Sequence, residues 1–203
     1  VVVNEETSIF FGRSKISFLY VCKKIAMPEM HSLKVIEVQR LTDDAVAISF
    51  AVPKDLTEHF SFQSGQVLIL SQTIDGEDVR RSYSICSAPH ERLLRVGIKA
   101  IPNGLFSNYA NREIQVGDTL EVGVPEGRFT FIPNQNKNLL LLVAGSGITP
   151  IMSIAKTALK KTESNVVLVY GNRTAEDAMF VDELQQLQTA YAVSYTHLRA
   201  HET

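Results

Sequence analysis

The chain has 203 residues, 45% of them hydrophobic, and a formal net charge of −2, the profile of a globular protein of one or two domains. A charge balance this even carries no basic footprint for nucleic acid. The cysteines, Cys22 and Cys86, lack the clustering that a zinc or iron–sulfur site needs; Cys86 reads as a small buried residue rather than a redox thiol, and the implied compartment is a reducing cytoplasm.

Residues 1–30 read differently from the rest of the chain. The apolar patch Ile16 to Cys22 is too short to span a membrane, and Lys23-Lys24 come after it, the reverse of a signal peptide. The chain opens on Val1, while Met27 and Met30 stand just before the first clear strand. Residues 1–30 are therefore expected to be a non-native or disordered extension.

Residues 31–136 are punctuated as an antiparallel β domain. Short apolar runs recur at Leu33–Val38, Ala45–Phe50, Gln66–Leu70, Val79–Tyr83, Leu93–Lys99, Thr119–Gly123 and Arg128–Phe131. Ser64-Gly65, Asp75-Gly76, Gly117-Asp118 and Pro125-Glu126-Gly127 separate several of them, and Asp75-Gly76 suits a type I′ hairpin turn. Strands at this spacing favour a closed barrel or a sandwich.

Within this domain, Arg80-Arg81-Ser82-Tyr83-Ser84-Ile85-Cys86-Ser87-Ala88-Pro89 joins a cation, an aromatic and small hydroxyls in one strand-length segment. Arg81 offers a planar fork of donors to a phosphate, Tyr83 a flat face to a planar ring, and Ser84 a hydroxyl to a ring edge. Strand alternation puts Arg81 and Tyr83 on one face and Ser84 on the other, so one ligand meets all three only if the backbone twists near Ser84. Taken alone, the segment reads equally as a sheet edge with solvated arginines. Downstream, Gly104 permits close backbone approach, and Leu105, Phe106 and Ser107 can open a short helix whose N–H groups face an anion. Lys99 adds a cation at the preceding strand end. Without its flanks this stretch is an Asn-Gly turn before an amphipathic turn of helix. Gly127 and Phe129 carry a weaker signal, with Phe129 expected in the barrel core.

The periodicity changes at Leu139. Leu139–Val143 is a continuous apolar run suited to a strand covered on both faces. Gly145-Ser146-Gly147-Ile148-Thr149-Pro150 comes next, a Gly-x-Gly turn opening a helix, the arrangement that seats a pyrophosphate. The third glycine of the dinucleotide fingerprint is replaced by Pro150, which fits the first helical position with Thr149 as N-cap. Ile148, Met152, Ala155 and Leu159 recur at helical spacing to Lys161. Val166–Tyr170 reads as a second buried strand, and Thr174-Ala175-Glu176-Asp177 as a capping-box start for a helix running to about Gln188. Two βα units imply a parallel sheet with ligands at the carboxyl ends of its strands, where Arg173 is placed either to grip the adenosine end of a nucleotide or simply to be solvated.

Val193 to Thr203 shows neither strand alternation nor a helical stripe. It matches, residue for residue, a reading frame of a transposase-type sequencing-library adapter. The natural sequence is expected to end near Ala192, and His197 and His201 are not read as metal ligands. His59 and His90 read as isolated surface residues, and no metal site is expected.

In order, Arg81-Ser82-Tyr83-Ser84, Gly104-Leu105-Phe106-Ser107, Gly127-Arg128-Phe129, Gly145-Ser146-Gly147-Ile148-Thr149-Pro150 and Tyr170-Gly171-Asn172-Arg173-Thr174 resemble the ferredoxin–NADP reductase superfamily over roughly Leu33 to Ala192. More narrowly, the chain resembles the reductase subunits of phenylacetyl-CoA epoxidase (ring 1,2-epoxygenase) complexes. The resemblance implies a Greek-key antiparallel β-barrel that binds FAD, over 31–136. An α/β parallel-sheet NAD(P)-binding domain would follow over 137–192, incomplete, with the 193–203 tail outside it. It also implies roles. Arg81 would hold a flavin phosphate, Tyr83 would cover the isoalloxazine, and Ser84, the nearest thing to a catalytic side chain, would hydrogen-bond near N5. Lys99 and Gly104 to Ser107 would cradle the pyrophosphate. Gly145, Gly147, Ile148, Thr149 and Pro150, with Arg173, would bind NADPH or NADH.

The implied activity is hydride transfer from NAD(P)H to FAD. Single electrons would then pass to a 2Fe-2S cluster in a ferredoxin domain beyond the present sequence, and on to oxygenase subunits, in phenylacetate catabolism in the cytoplasm. Nucleic acid and membrane are not expected as partners. Two other readings stay open: the reductase module of a flavohaemoglobin or another oxygenase, and a flavin-binding module without turnover.

Overall fold

The computed structural model describes residues 29–133 and 138–191 in full, and residues 6–11, 14–19 and 194–199 as backbone strands. Most of the extension expected over residues 1–30 lies outside the described residues. What is described there is a hairpin of β1 (Glu6–Phe11) and β2 (Ser14–Leu19), a sheet of its own. No helix among the described residues is long and apolar enough to cross a membrane.

The first domain is built on β3 (Met30–Thr42), β4 (Ala45–Ala51), β5 (Val67–Ile74), β6 (Glu77–Ser84), β7 (Leu94–Lys99) and β8 (Thr119–Gly123), with helix α1 (Leu105–Arg112) between the last two. Their order in the sheet is β6-β5-β8-β3-β4-β7. Beyond the end of β6, Ile85 bridges Val96 of β7 and the Cys86 N–H donates to the Arg95 carbonyl at 2.8 Å. The two edges therefore meet, and the barrel alternative holds over the sandwich. β3 pairs with β8 over Met30–Lys34 and with β4 over Lys34–Thr42, shifting register between Val35 and Glu37 and between Arg40 and Thr42. Such irregularities bend a strand enough to turn a barrel corner. The Asp75-Gly76 turn has positive φ at both residues (51° and 82°), as the type I′ geometry requires.

β4 shows how one strand serves two cores. Val46, Ile48 and Phe50 point into the barrel with Leu33, Leu68, Leu70, Val96 and Val122. Ala45 and Ala47 point outward, against Ile148, Met152 and Phe180 of the second domain. Small residues on the outer face let that domain pack close.

The second domain contains β9 (Leu139–Ala144), α2 (Ile148–Lys161), β10 (Val166–Asn172), α3 (Val181–Tyr191) and β11 (Ser194–Arg199), with β9 and β11 parallel to β10 on either side. The Leu139–Ala144 and Val166–Asn172 strands and the Ile148, Met152, Ala155 and Leu159 stripe stand as the pattern indicates, the four stripe residues all buried.

Five expectations are corrected. Arg128–Phe131 is not a strand, and Phe129 is 61% exposed rather than in the core. This segment runs beside residues 64–67 through a Val67–Glu126 bridge and a Phe131 N–H to Ser64 carbonyl bond, too few contacts for a ladder. β9 is covered on one face only: Leu140 and Leu142 are 64% and 68% exposed, because the helices packing on this sheet meet the Leu141 and Val143 side. Thr149 is not the N-cap. Gly147 caps α2, and the Thr149 hydroxyl donates back to the Ser146 carbonyl at 2.8 Å. The Asp177 N–H does donate to Thr174 Oγ1 at 3.3 Å, yet the helix begins only at Val181, after Phe180 takes a left-handed φ of 62°. Finally, part of the tail forms β11, since the open edge of β10 offers N–H and C=O groups to any extended segment.

Candidate functional site

A cleft of about 330 Å³ lies between barrel and second domain, within the range of small-ligand sites. Arg81, Ser82, Tyr83 and Ser84 line it from β6, Gly97 and Lys99 from β7, Gly104 to Ser107 from the α1 entry, and Ser146 and Thr149 from the second domain. The alternation problem at Ser84 resolves at the end of β6. There the chain leaves its β5 partner, the Ile85 N–H donates to the Gln66 carbonyl, and the backbone crosses to β7. Residues from both faces of the strand thereby border one space.

Tyr83 is half-buried, its ring 5.5 Å from that of Phe106 and tilted 38° to it. Burial pushes its hydroxyl up to about 12, against the opposing pull of the Arg81 charge, so the phenol stays neutral. Arg81 is exposed, and its guanidinium donates to the Arg80 carbonyl at 2.7 Å, leaving other donors of the fork for a ligand.

The loop before α1 is held by its own side chains. The Ser107 hydroxyl donates to the Gly104 carbonyl and accepts from the Ile101 N–H, each at 3.3 Å. The Asn108 amide donates to the Gly104 and Ile101 carbonyls at 2.7 and 3.0 Å, and the Asn111 amide to those of Ser107 and Ile98 at 2.8 and 3.2 Å. Arg40 in turn donates to Asn111. With the carbonyls engaged, the first N–H groups of α1, which have no partner within a helix, remain for an anion. A second cleft, about 430 Å³, lies against Ile74, Asn103, Tyr109 and Arg112 and shares Gly104 and Leu105 with the first. Two lobes joined at a backbone donor loop fit a dinucleotide such as FAD, with its pyrophosphate at the junction.

A third cleft, about 290 Å³, is lined by Lys99, Ala144, Gly145, Gly171, Asn172, Arg173 and Asp177 at the carboxyl ends of β9 and β10, where a parallel sheet places ligands. Gly145 takes a φ of 51°, which favours glycine. The buried Tyr170 hydroxyl donates to the Gly145 carbonyl and accepts from the Met179 N–H, both at 3.1 Å, and so pins the turn. Of the other expected residues, Ile148 is fully buried in the core between the domains, Gly147 packs near Val143, and neither they nor Pro150 line this cleft. Lys99 borders both the first and third clefts, but its ammonium already faces Asp44 and Asp177 at 3.3 and 3.6 Å. Arg173 is 70% exposed, 3.4 Å from Asp177.

Four features of the site escaped sequence reasoning: Gly97, the Asn108–Asn111 latch, Tyr170, and an ion cluster that clamps the two domains. Only Gly97, a glycine inside a strand, and Tyr170, a tyrosine in a buried strand needing a hydroxyl partner, left a readable signal. In the cluster, Glu183 of α3 accepts from Arg95 of β7 at 2.7 Å and from Lys156 of α2 at 2.8 Å, and Lys156 also reaches Glu91 at 3.2 Å. Arg95 also lies over the Phe180 ring at 5.7 Å and donates to Gln39. Nearby, Ser64 and Thr157 share a hydrogen bond of 2.5 Å. Cys86 is wholly buried beside this cluster, and burial pushes its thiol up to about 12, as suits an inert residue.

Comparison with known proteins identifies the two domains. The family described as the oxidoreductase FAD-binding domain matches residues 32–131, and the oxidoreductase NAD-binding domain matches residues 141–203. The chain is 45% identical over 168 residues to a subunit of the 1,2-phenylacetyl-CoA epoxidase of Escherichia coli K12, covering 81% of this chain and 47% of the relative. It is 39% identical over 166 residues to the ferredoxin reductase component of 3-ketosteroid-9-alpha-monooxygenase from Rhodococcus rhodochrous, with 81% and 47% covered. The chain thus spans about half the length of the curated relatives it matches. Among solved structures, the flavohem-like FAD/NAD binding domain of nitric oxide dioxygenase from Vibrio cholerae superposes with a TM-score of 0.76 at 26% identity, covering 87% of this chain and 76% of that one.

Proposed function

The chain belongs to the FAD- and NAD-binding oxidoreductases of the ferredoxin–NADP reductase family, and from that premise we propose that it carries electrons from NAD(P)H through FAD to an oxygenase. The observation that carries this reading is the meeting of two clefts at Lys99, one at the barrel and one at the carboxyl ends of β9 and β10. Bound in the barrel cleft, the flavin supplies two-electron acceptance from nicotinamide and one-electron release to an iron–sulfur centre. Arg81 binds a flavin phosphate, Tyr83 with Phe106 behind it presents a flat neutral face to the ring, and Ser84 donates at the ring edge. The N–H groups after Gly104 hold the pyrophosphate. Gly145, at the third cleft, and Ser146 and Thr149, at the first, would hold the nicotinamide nucleotide against the same space, so that the two rings are brought together without a search.

The acceptor proposed is the oxygenase of a phenylacetyl-CoA epoxidase complex, supported by the 45% identity to a component of that enzyme in Escherichia coli. A 2Fe-2S cluster, a cytoplasmic location and a role in phenylacetate catabolism belong to the same proposal. The purified chain, incubated with FAD and desalted, is expected to retain a flavin spectrum that bleaches on anaerobic addition of NADPH. Flavin that bleaches with dithionite but with neither NADPH nor NADH removes the hydride step while keeping the barrel site. Folded protein that retains neither FAD nor FMN overturns the roles of Arg81, Tyr83 and Ser84.

A further inference from the structure

We propose that Glu29, His31 and His59 form a site for a divalent transition-metal ion of the zinc type, away from the nucleotide clefts. His31 stands near the start of β3, its Nε2 3.4 Å from Glu29 Oε1. His59 comes from the turn ahead of β5 and meets the His31 ring edge-on, with centroids 5.8 Å apart. One donor atom from each of the three residues lies within 4.8 Å of the others. His31 is wedged against Phe60 on its other side, at 5.5 Å, and its Nε2 is buried with no hydrogen-bond partner. A buried imidazole nitrogen left without a partner costs free energy, and a metal ion is a group that would complete it.

The donor chemistry narrows the ligand. Two imidazoles and a carboxylate suit zinc, copper or nickel rather than calcium or magnesium. Bonds of about 2.0–2.2 Å to one tetrahedral ion place donors roughly 3.4 Å apart, so the cluster needs only a modest closure. The exposed Glu29 and His59 are free to rotate inward while His31 stays fixed by its neighbours. Three protein ligands leave a fourth position for water. The ion would act as a clip: it ties the entry of the chain into β3 to the turn whose next residue, Phe60, is buried in the barrel core. Because His59 stands far along the chain from Glu29 and His31 and meets them only in the fold, binding favours the folded barrel. None of the three lines the clefts that bind nucleotides in the proposed function.

The test titrates zinc chloride into the metal-stripped, untagged full chain by calorimetry and follows thermal unfolding with and without zinc. One zinc ion per chain and a higher unfolding midpoint are expected. Glu29→Gln and His59→Gln, both at exposed positions where folding is preserved and checked by circular dichroism, are each expected to weaken binding by about tenfold or more. His197→Gln with His201→Gln is expected to bind as the parent does. Absence of saturable binding, undiminished affinity in His59→Gln, or loss of binding in the His197 and His201 variant overturns the proposal.

Discussion

A methyl group placed on Gly104 would lie 2.4 Å from Ser107 Oγ and 2.5 Å from Ile101 Cγ1. The Ser107 hydroxyl is the group that closes the loop on the Gly104 carbonyl and the Ile101 N–H, so an added Cβ sets packing against the hydrogen bonds that aim the loop. Gly104→Ala is expected to lower unfolding stability by about 1–3 kcal/mol and to weaken FAD binding, read by urea unfolding and by flavin fluorescence titration. FAD affinity equal to that of the parent would remove Gly104 from the pyrophosphate loop. At this scale the sequence is legible where residues close together in the chain line one cleft, as Arg81, Tyr83 and Ser84 do. It is opaque where the partner is distant. Asn111 reads as an ordinary helix residue until Arg40 and the Ile98 carbonyl are beside it. Phe129 stands just past a glycine in an apolar run and so reads as core, whereas its backbone carbonyl packs against Gly65 and its ring faces solvent.

Elements were legible through period and hidden wherever burial depended on what covered them. The stripe on α2 and the alternation along β4 leave little freedom, because only one face of each can meet a given core. β9 carries the same run of leucines whether one face or two are covered, so its open side at Leu140 and Leu142 could not be read. The sequence pattern sets the helix start too early because Thr174 makes a capping-type bond inside a turn that the left-handed Phe180 keeps out of the helix. The same element supplies Glu183, whose place in the clamp sets a pH dependence. Burial alone would raise its pKa, but Lys156 and Arg95 outweigh burial and hold the carboxyl below its usual 4.5. A lowered folded-state pKa means the stabilisation is complete above 4.5 and is lost as pH falls through the depressed value. Glu183→Gln is expected to cost about 1.5–3 kcal/mol at neutral pH, and the gap to the parent should narrow in acid as the parent's own carboxyl protonates. A gap of constant size from neutral pH to well below 4.5 would show that Glu183 acts through shape rather than charge.

For the molecule as a whole, the proposed chemistry depends on how closely the two domains approach, and Gly97 is where they nearly touch. A Cβ there would sit 3.0 Å from Phe180 Cζ, 3.1 Å from Thr149 Cγ2 and 3.3 Å from Met179 Cε. All three neighbours belong to the second domain and face the outer side of β7, so a larger residue at Gly97 pushes against that domain. Thr149 borders the cleft proposed for flavin, so its displacement moves the loop proposed for nicotinamide relative to the barrel. The motif residues bear on binding, whereas Gly97 bears on distance, and distance controls hydride transfer more steeply than affinity does. A misplacement of about 1 Å is enough to cost ~10²-fold in rate. Gly97→Val is therefore expected to keep FAD while its bleaching by saturating NADPH slows by about 10²-fold, measured by stopped-flow absorbance. The control is Val116→Ala, at a 64% exposed side chain that lines none of the three clefts, where bleaching should run at the parent rate. If Gly97→Val also bleaches at the parent rate, the contact of the two domains at β7 does not set the approach of nicotinamide to flavin. The next contact to test would then be the ion clamp around Glu183, whose Arg95 stands two residues from Gly97 on β7 and lies over the same Phe180 ring.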